Sequence, residues 1–204
     1  EELFYAKKSV ILTSATLAVR GDFKHVRERL GAEESEELAL GSPFDYKASA
    51  LVAIPQDLPE PNQQGYTAAV HAAIRDIALA TRDRTLVLFT SNSALQTARE
   101  ALKEELGAQG IRVIGQGPDG TPYRIMSQLR AEKEIVALGA SSLWEGVDLD
   151  GTSIKTIIIA RLPFPVPSEP VFEARSEMYD DSFNEYAVPE AVMRFRQGFG
   201  RLIR

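Results

Sequence analysis

Residues 85–107 read TLVLFTSNSALQTAREALKEELG, and this stretch decides the fold class. It begins with an apolar run that does not alternate with polar residues, which is typical of a strand buried on both faces of a sheet. The residues that follow have the spacing of an amphipathic helix, and Gly107 and Gly110 are candidate signals for its end. A buried strand followed directly by a helix indicates a parallel α/β architecture.

This pattern repeats along the chain. Strand-like apolar runs lie at residues 10–16, 50–55, 85–91, 111–115, 134–140 and 154–161, and helical patterns lie at 22–31, 65–81, 92–107, 122–132 and 186–204. Their alternation predicts a three-layer α/β domain with a mainly parallel sheet flanked by helices. The one long irregular connection is 162–186, where four prolines fall within residues 163–170. A connection of that length is usually functional or disordered.

The composition is that of one globular domain, with 204 residues of which 44% are hydrophobic and 25% charged. The chain has no cysteine, so its own residues cannot form a disulfide, a Cys-ligated zinc site or an iron–sulfur cluster, and a cytoplasmic location fits. The net charge of −6 argues against a broad basic DNA-binding surface but is compatible with a narrow basic track. The longest apolar runs, such as residues 153–160, are too short to span a membrane, so no membrane partner is expected.

Polar residues stand at the carboxyl ends of three predicted strands. In parallel α/β sheets this edge is where ligands bind, so the residues there are candidate site residues. The alternative is that each Ser or Thr caps the helix that follows it. The residues are Thr13, Ser14 and Thr16 after the first strand, Ser91 and Asn92 after the third, and Ser141 and Ser142 after the fifth.

The sequence GQGPDG at residues 115–120 matches the G-x-G-x-x-G pattern of dinucleotide-binding loops and follows a predicted strand. It lies at the fourth strand of the chain, and Pro118 lacks the backbone N–H that would bind a pyrophosphate. No helix is expected to start promptly at its third glycine. We therefore interpret this segment as a glycine-rich turn.

The chain ends on RFRQGFGRLIR, residues 194–204. In a predicted helix over 186–204, spacings of three, four and three residues place four polar side chains on one face. Glycines at 198 and 200 weaken a helix, so they indicate that something approaches its backbone closely. Such a face suggests phosphate binding, and the alternative is a surface arginine stripe that forms ion pairs. The four side chains are Arg194, Gln197, Arg201 and Arg204.

The order of these motifs resembles the second half of a superfamily 2 helicase, and their residues are most similar to the motifs of the DinG/XPD family of DNA helicases. TSAT at 13–16 resembles motif III, LFTS at 88–91 lies in motif IV, Glu-Gly-x-Asp at 145–148 in motif V, and Gln-x-x-Gly-Arg-x-x-Arg at 197–204 is motif VI. The segment ARLPFPVPSEP at 160–170 also resembles the part of the family's sequence between motifs V and VI. The resemblance covers nearly the whole chain.

The resemblance implies that residues 1–204 are the second RecA-like lobe, of P-loop NTPase type, of a larger ATP-dependent DNA helicase. By the same resemblance the helicase moves 5′ to 3′ and acts in DNA repair or replication. Arg201 and Arg204 would be arginine fingers that stabilise charge on the γ-phosphate, and Gln197 would position water or a phosphate-facing partner.

The remaining motif residues receive roles from the resemblance as well. On the nucleotide side stand Glu145, Gly146, Asp148 and Gly200, with turn chemistry as the alternative for Asp148. Candidate contacts to a single DNA strand are Ser91, Asn92, Ser141, Ser142 and Trp144, where Trp144 would either stack on a base or simply pack. The residues expected to couple the nucleotide and DNA sites are Thr13, Ser14 and Thr16.

The chain lacks both the G-x-x-x-x-G-K-[ST] loop and the Asp-Glu box that hold ATP and Mg²⁺. These would belong to a first RecA-like lobe, which in this family can also carry a 4Fe–4S cluster, and the present chain alone would be inactive. Two alternatives stay open. One is a non-catalytic helicase-like module that binds a nucleotide or protein partner, and the other is a glycosyltransferase-like second lobe.

Overall fold

The computed structural model describes residues 7–14, 16–19, 21–32, 34–144, 154–200 and 202. The chain divides into two compact units. We call Tyr46–Pro163 with Gln197–Arg204 the sheet unit, and Glu1–Asp45 with Phe164–Arg196 the helical unit. The composition alone predicts one domain and does not reveal this division.

The sheet unit contains a parallel sheet of four strands in the order β2-β3-β1-β4. Each strand falls inside a run that the sequence predicts to be a strand, so the α/β class with a parallel sheet is confirmed. The strands are β1 Thr85–Leu88, β2 Arg112–Gly115, β3 Ile135–Gly139 and β4 Thr156–Ile159.

Eight α-helices and one π-helical turn, Phe183–Ala187, are present in the described part of the chain. Within that part, no helix is both long and apolar enough to cross a membrane. The helices are α1 Lys24–Leu30, α2 Tyr46–Ser49, α3 Tyr66–Thr81, α4 Asn92–Ala108, α5 Pro122–Ala131, α6 Ser141–Trp144, α7 Pro170–Ser176 and α8 Val188–Phe199.

The two faces of the sheet are covered by different helices, which makes three layers. Successive residues of a strand point to opposite faces. Val87 therefore belongs to a core with Ile74 of α3 and Leu102 of α4, whereas Leu86 belongs to a second core with Ile125 of α5. Strands β1 and β3 are buried along their whole length, as their uninterrupted apolar sequences predict.

Two of the predicted strands are wrong. Residues 10–14 and 50–55 form no strand, and their side chains are exposed, with Ile11 at 87% and Leu51 at 92%. Their apolar, β-branched composition is the same as that of β1. A strand also needs a neighbour to pair with and a layer to pack against, and these depend on tertiary structure rather than on the local sequence.

The carboxyl-terminal part of the chain differs from the prediction in two ways. Helix α8 ends at Phe199 with Gly200 in a turn, so the helix predicted over 186–204 is too long. The connection 162–186 is partly helical, because α7 begins at Pro170, where proline's missing N–H has no helical partner to lose. The short helices α2 and α6 give too little periodicity to be predicted.

The helical unit has its own aromatic core. The ring of Tyr186 contacts those of Phe172 and Tyr179 at centroid distances of 5.1 and 5.5 Å. Next to it, Glu190 lies 3.1 Å from His25 Nε2 and forms an ion pair with Arg29. Burial raises the pKa of Glu190, but the hydrogen bond from His25 and the charge of Arg29 together lower it by more. The pKa of Glu190 therefore lies below its ordinary value. Glu190 is therefore held as a buried carboxylate.

Candidate functional site

The carboxyl ends of the parallel strands meet at one edge of the sheet unit. Leu88 of β1 is in register with Gly139 of β3 and with Ile159 of β4. The residues that follow each strand therefore lie side by side. In parallel α/β sheets, ligands bind at this edge.

Ser91 caps helix α4 at this edge. Its Oγ accepts a hydrogen bond from the N–H of Ala94 at 3.2 Å, so the capping alternative is confirmed for this residue. Asn92, the first residue of α4, is exposed next to it. Capping fixes the Ser91 side chain at the start of the helix, and the hydroxyl itself stays exposed at the edge.

Gln116 joins the loops that follow β2 and β3. Its Oε1 accepts a hydrogen bond from the backbone N–H of Ala140 at 3.1 Å, and its Nε2 donates to Oγ of Ser142 at 2.7 Å. Because Ala140 N–H can only donate, the orientation of the amide is determined. One uncharged side chain thus holds the exposed residues Ser141 and Ser142 in place.

Trp144 is a core residue. It is 3% exposed, packs in the second core of the sheet unit, and donates from Nε1 to the carbonyl of Phe89 at 2.8 Å. With its ring buried and its N–H satisfied, Trp144 offers no free face to a nucleobase. The sequence left two interpretations of this tryptophan, and the structure favours packing over stacking on a base.

Gly198 accounts for one of the two glycines in the terminal motif. A Cβ at position 198 would lie 2.9 Å from Cε3 and Cζ3 of Trp144 and 3.1 Å from Cδ1 of Leu88. Leu202 packs against the same core. The segment that carries the exposed Gln197 therefore packs against the carboxyl end of β1 and against α6.

The GQGPDG segment is a turn in which the side chain of Asp119 accepts a hydrogen bond from the backbone at the start of the segment. Asp119 accepts from the N–H of Gly115 at 2.7 Å and from Nε and Nη2 of Arg99 at 2.6 and 2.8 Å. The hydrogen bond from Arg99 is the main cause of a lowered pKa for Asp119. Helix α5 does begin directly after Gly120, at Pro122, so the expectation of a delayed helix is wrong. The N–H of Gly115 is nevertheless occupied by Asp119 and is not available to a pyrophosphate.

A family comparison agrees with this arrangement. The model of the helicase C-terminal domain family matches residues 74–204, which include the whole sheet and the terminal motif. The chain belongs to this family.

Relatives that match almost the whole of this chain show which members of the family it resembles. It is 36% identical over 214 residues to the 3′-5′ exonuclease DinG of Bacillus subtilis, which covers 100% of this chain and 23% of that protein. It is 36% identical over 200 residues to the ATP-dependent DNA helicase YoaA of Escherichia coli, covering 96% of this chain and 31% of YoaA. It is 33% identical over 208 residues to the ATP-dependent helicase DinG of Mycobacterium tuberculosis, with 98% and 31% covered. This helicase C-terminal domain is thus of the DinG type and spans under a third of each relative.

The predicted motif residues of this helicase C-terminal domain fall into three groups. Those in the sheet unit at or near the carboxyl edge are Ser91, Asn92, Ser141, Ser142, Trp144, Gln197 and Gly200. Those in the helical unit are Thr13, Ser14 and Thr16. Those outside the described residues are Glu145, Gly146, Asp148, Arg201 and Arg204.

Two residues of the TSAT motif, Ser14 and Thr16, are joined by local hydrogen bonds. Oγ of Ser14 accepts from the backbone N–H of Thr16 at 3.2 Å, and the two hydroxyl oxygens are also 3.2 Å apart. The next helix begins only at Lys24, so these residues do not cap it, and the capping alternative is wrong for this motif.

In the part of the chain that is described, no group of three or more His, Cys, Asp or Glu side chains could hold a metal ion.

Arg161 is a residue at this edge that the motif analysis passed over. It stands two residues after Ile159, the last residue of β4, and is exposed. The signal available in the sequence is its position as the last residue of the predicted strand 154–161, where a charged side chain ends an apolar run.

Proposed function

We propose that this chain is the second motor lobe of an ATP-dependent DNA helicase. The observation that carries the proposal is the packing of Gly198 on Trp144 and Leu88, because it holds the described start of the terminal motif, Gln197 and Gly198, at the carboxyl edge of the sheet, where ligands bind in such folds. The family membership and the printed names of the YoaA and DinG relatives support the same function.

In the proposed mechanism, ATP and its Mg²⁺ are held by a first RecA-like lobe of the same protein. Arg201 and Arg204 enter the cleft between the lobes and stabilise the negative charge that develops on the γ-phosphate oxygens. Gln197 precedes the anchored Gly198 by one residue and positions the attacking water or a phosphate-facing partner. Glu145, Gly146 and Asp148 supply acceptors and a turn on the nucleotide side. Without the first lobe, the chain would not hydrolyse ATP.

The proposed DNA track runs along the exposed polar residues of the carboxyl edge. Ser91, Asn92, Ser141 and Ser142 are uncharged and suited to contacts with the sugar–phosphate backbone. Such contacts explain how a chain with a net charge of −6 could follow a single strand without a broad basic surface. Trp144 is not part of this track, because it is buried.

Lobe closure on ATP and reopening after hydrolysis would move this track along the strand, 5′ to 3′ as in the family that the motifs resemble. Thr13, Ser14 and Thr16 would couple the nucleotide and DNA sites. The hydroxyls of the exposed Thr13 and Ser14 and of the partly exposed Thr16 provide donors and acceptors of the appropriate chemistry for such contacts.

The proposal is tested by single-stranded-DNA-stimulated ATP hydrolysis of the full-length protein and its Arg204→Ala and Arg201→Ala variants. We expect turnover to fall by about 10²-fold or more, because a positioned arginine is worth large factors in phosphoryl transfer. Binding of a fluorescent ATP analogue should be nearly unchanged.

A matched control is Arg112→Ala. Arg112 is an exposed arginine in an ion pair with Glu132, at the amino-terminal end of β2 and so at the opposite edge of the sheet. Its replacement should leave turnover within about twofold. If the wild-type protein shows no DNA-stimulated turnover, or if the motif VI variants match it, the chain is a non-catalytic interaction module instead.

A further inference from the structure

Arg161 occupies a defined position at the carboxyl edge of the sheet. Strands β1 and β4 are paired through Leu88 and Ile159, and the backbone N–H of Ala160 continues the ladder by donating to the carbonyl of Leu88 at 3.1 Å. Arg161 follows Ala160, so it stands at the same carboxyl edge of the sheet as the helix-capping Ser91. The exposed Arg161 thus shares this edge with the exposed polar residues proposed as the DNA track.

Two contacts hold the Arg161 side chain. Its guanidinium carbon lies 5.6 Å from the ring centroid of Tyr66, within the range of a cation–π interaction, and its Nη2 donates to the carbonyl of Pro61 at 2.9 Å. Tyr66 is itself fixed, because its hydroxyl donates to the carbonyl of Ala160. The arginine is therefore oriented before any ligand arrives.

At the described loop after β2, the charges of Arg99 and Asp119 offset each other in an ion pair, whereas the contacts of Arg161 are to a ring and a carbonyl. The residues proposed as the DNA track and their neighbours at this edge are uncharged, namely Thr90, Ser91, Asn92, Gln116, Ala140, Ser141 and Ser142. An arginine has five N–H donors in a planar fork, and the carbonyl of Pro61 accepts from one nitrogen only. The remaining donors match the oxygens of a phosphate.

We propose that Arg161 binds a backbone phosphate of the single DNA strand and so supplies a positive charge to the track. This inference rests on the proposed function of the chain as a motor lobe. Tyr66 acts as a positioning residue that holds the guanidinium, and the uncharged residues beside it contact sugar and phosphate without contributing charge.

The test is binding of a fluorescein-labelled oligothymidylate to the full-length protein by fluorescence anisotropy over a range of salt concentrations. Arg161→Ala should weaken binding about tenfold at low salt and reduce the slope of log K against log salt by about 0.7, the value for one phosphate contact on a single strand. Arg161→Lys keeps the charge, so it should retain the slope while binding less tightly than wild type.

Tyr66 provides a second variant that separates positioning from charge. Tyr66→Leu removes the ring under the guanidinium, so it should weaken binding less than Arg161→Ala does and leave the salt slope unchanged. In the Arg161→Ala background, Tyr66→Leu should have no further effect on affinity, because there is no guanidinium left to position. Circular dichroism of each variant checks that the fold is retained.

The outcomes separate the two proposals. If the wild-type protein binds DNA and Arg161→Ala binds with the same affinity and slope, Arg161 has no phosphate role and the motor function stands. If Arg161→Ala lowers ATP turnover at saturating DNA without changing DNA affinity, the assignment to the DNA track is wrong. If the wild-type protein does not bind the oligonucleotide, both proposals fail together.

Discussion

Gly198 lies so close to the indole of Trp144 that a Cβ on residue 198 would be 2.9 Å from two of its ring carbons. The aromatic ring is rigid, and its N–H is already fixed on the carbonyl of Phe89. A clash at this point cannot be relieved by a small rotation of a flexible side chain. The glycine is therefore required by packing between α8 and α6.

The first prediction concerns this contact. Gly198→Ala should lower the free energy of unfolding of the chain by about 1–3 kcal/mol, which is typical of overpacking a core. It should also reduce DNA-stimulated ATP turnover of the full-length protein, because the backbone that carries Gln197 and the two terminal arginines must shift. Urea denaturation of the chain and the ATPase assay measure the two effects.

The control is Gly107→Ala. Gly107 lies inside helix α4, and a Cβ there would meet nothing within 4 Å. Alanine should therefore stabilise the chain by about 0.5–1 kcal/mol through its higher helix propensity, without affecting turnover. Equal effects at positions 107 and 198 would contradict the packing argument.

The second prediction distinguishes packing from base stacking at Trp144. Trp144→Phe removes the donor to the carbonyl of Phe89 and should lower the free energy of unfolding by about 1–3 kcal/mol. The affinity of the full-length protein for single-stranded DNA should stay within about twofold. Because phenylalanine can itself stack on a base, Trp144→Leu is measured as well. A stacked base would contribute about 1–3 kcal/mol, so a loss of tenfold or more in DNA affinity in Trp144→Leu would restore the stacking interpretation.

The sequence predicts the central part of the fold well, and the reason is physical. Strands β1 and β3 are buried on both faces, and a mainly apolar run is what such a position favours. Residues 50–55 have a similar composition, but Leu51 and Ile54 are exposed. Composition shows that a segment can form a strand, whereas pairing decides whether it does.

The site is only partly predictable for a related reason. Sequence patterns locate Ser91, Ser141 and Gln197 because they follow strands or belong to a spaced motif. The role of Trp144 depends on Gly198 and on the carbonyl of Phe89, which are distant in sequence. Arg161 was missed because its neighbours Tyr66 and Pro61 also come from another part of the chain.

The third prediction uses Gln116 to test whether the carboxyl edge faces DNA. In Gln116→Glu, one carboxylate oxygen can still accept from the N–H of Ala140, and the other can accept from the hydroxyl of Ser142. The free energy of unfolding should therefore change little. The new negative charge should repel the DNA backbone and weaken binding of single-stranded DNA several-fold, more at low salt than at high salt.

Gln116→Leu is the matched variant for that experiment. It adds no charge but removes both hydrogen bonds, so the N–H of Ala140 loses its partner and stability should fall by about 1–3 kcal/mol. If Gln116→Glu binds DNA as tightly as wild type at low salt, the strand does not pass over this loop.

The fourth prediction concerns the pH dependence of stability at Asp119. The hydrogen bond from Arg99 lowers the pKa of this carboxyl below its ordinary value, and the N–H of Gly115 adds to the effect. A carboxyl whose pKa is lower in the folded state stabilises that state at pH values above its unfolded pKa. The contribution is lost as the pH falls through the lowered pKa, because the carboxylate is then protonated in both states.

Asp119→Asn should therefore lower the free energy of unfolding by about 1.5–3 kcal/mol at pH 7, and the difference from wild type should shrink below about pH 4. Urea denaturation of the chain from pH 7 to pH 3 measures this dependence. Glu132→Gln is the control, since Glu132 pairs with Arg112 at an exposed position and should change stability by less than about 1 kcal/mol. A difference between Asp119→Asn and wild type that is the same at pH 7 and pH 3 would show that the Arg99 ion pair contributes nothing through its charge.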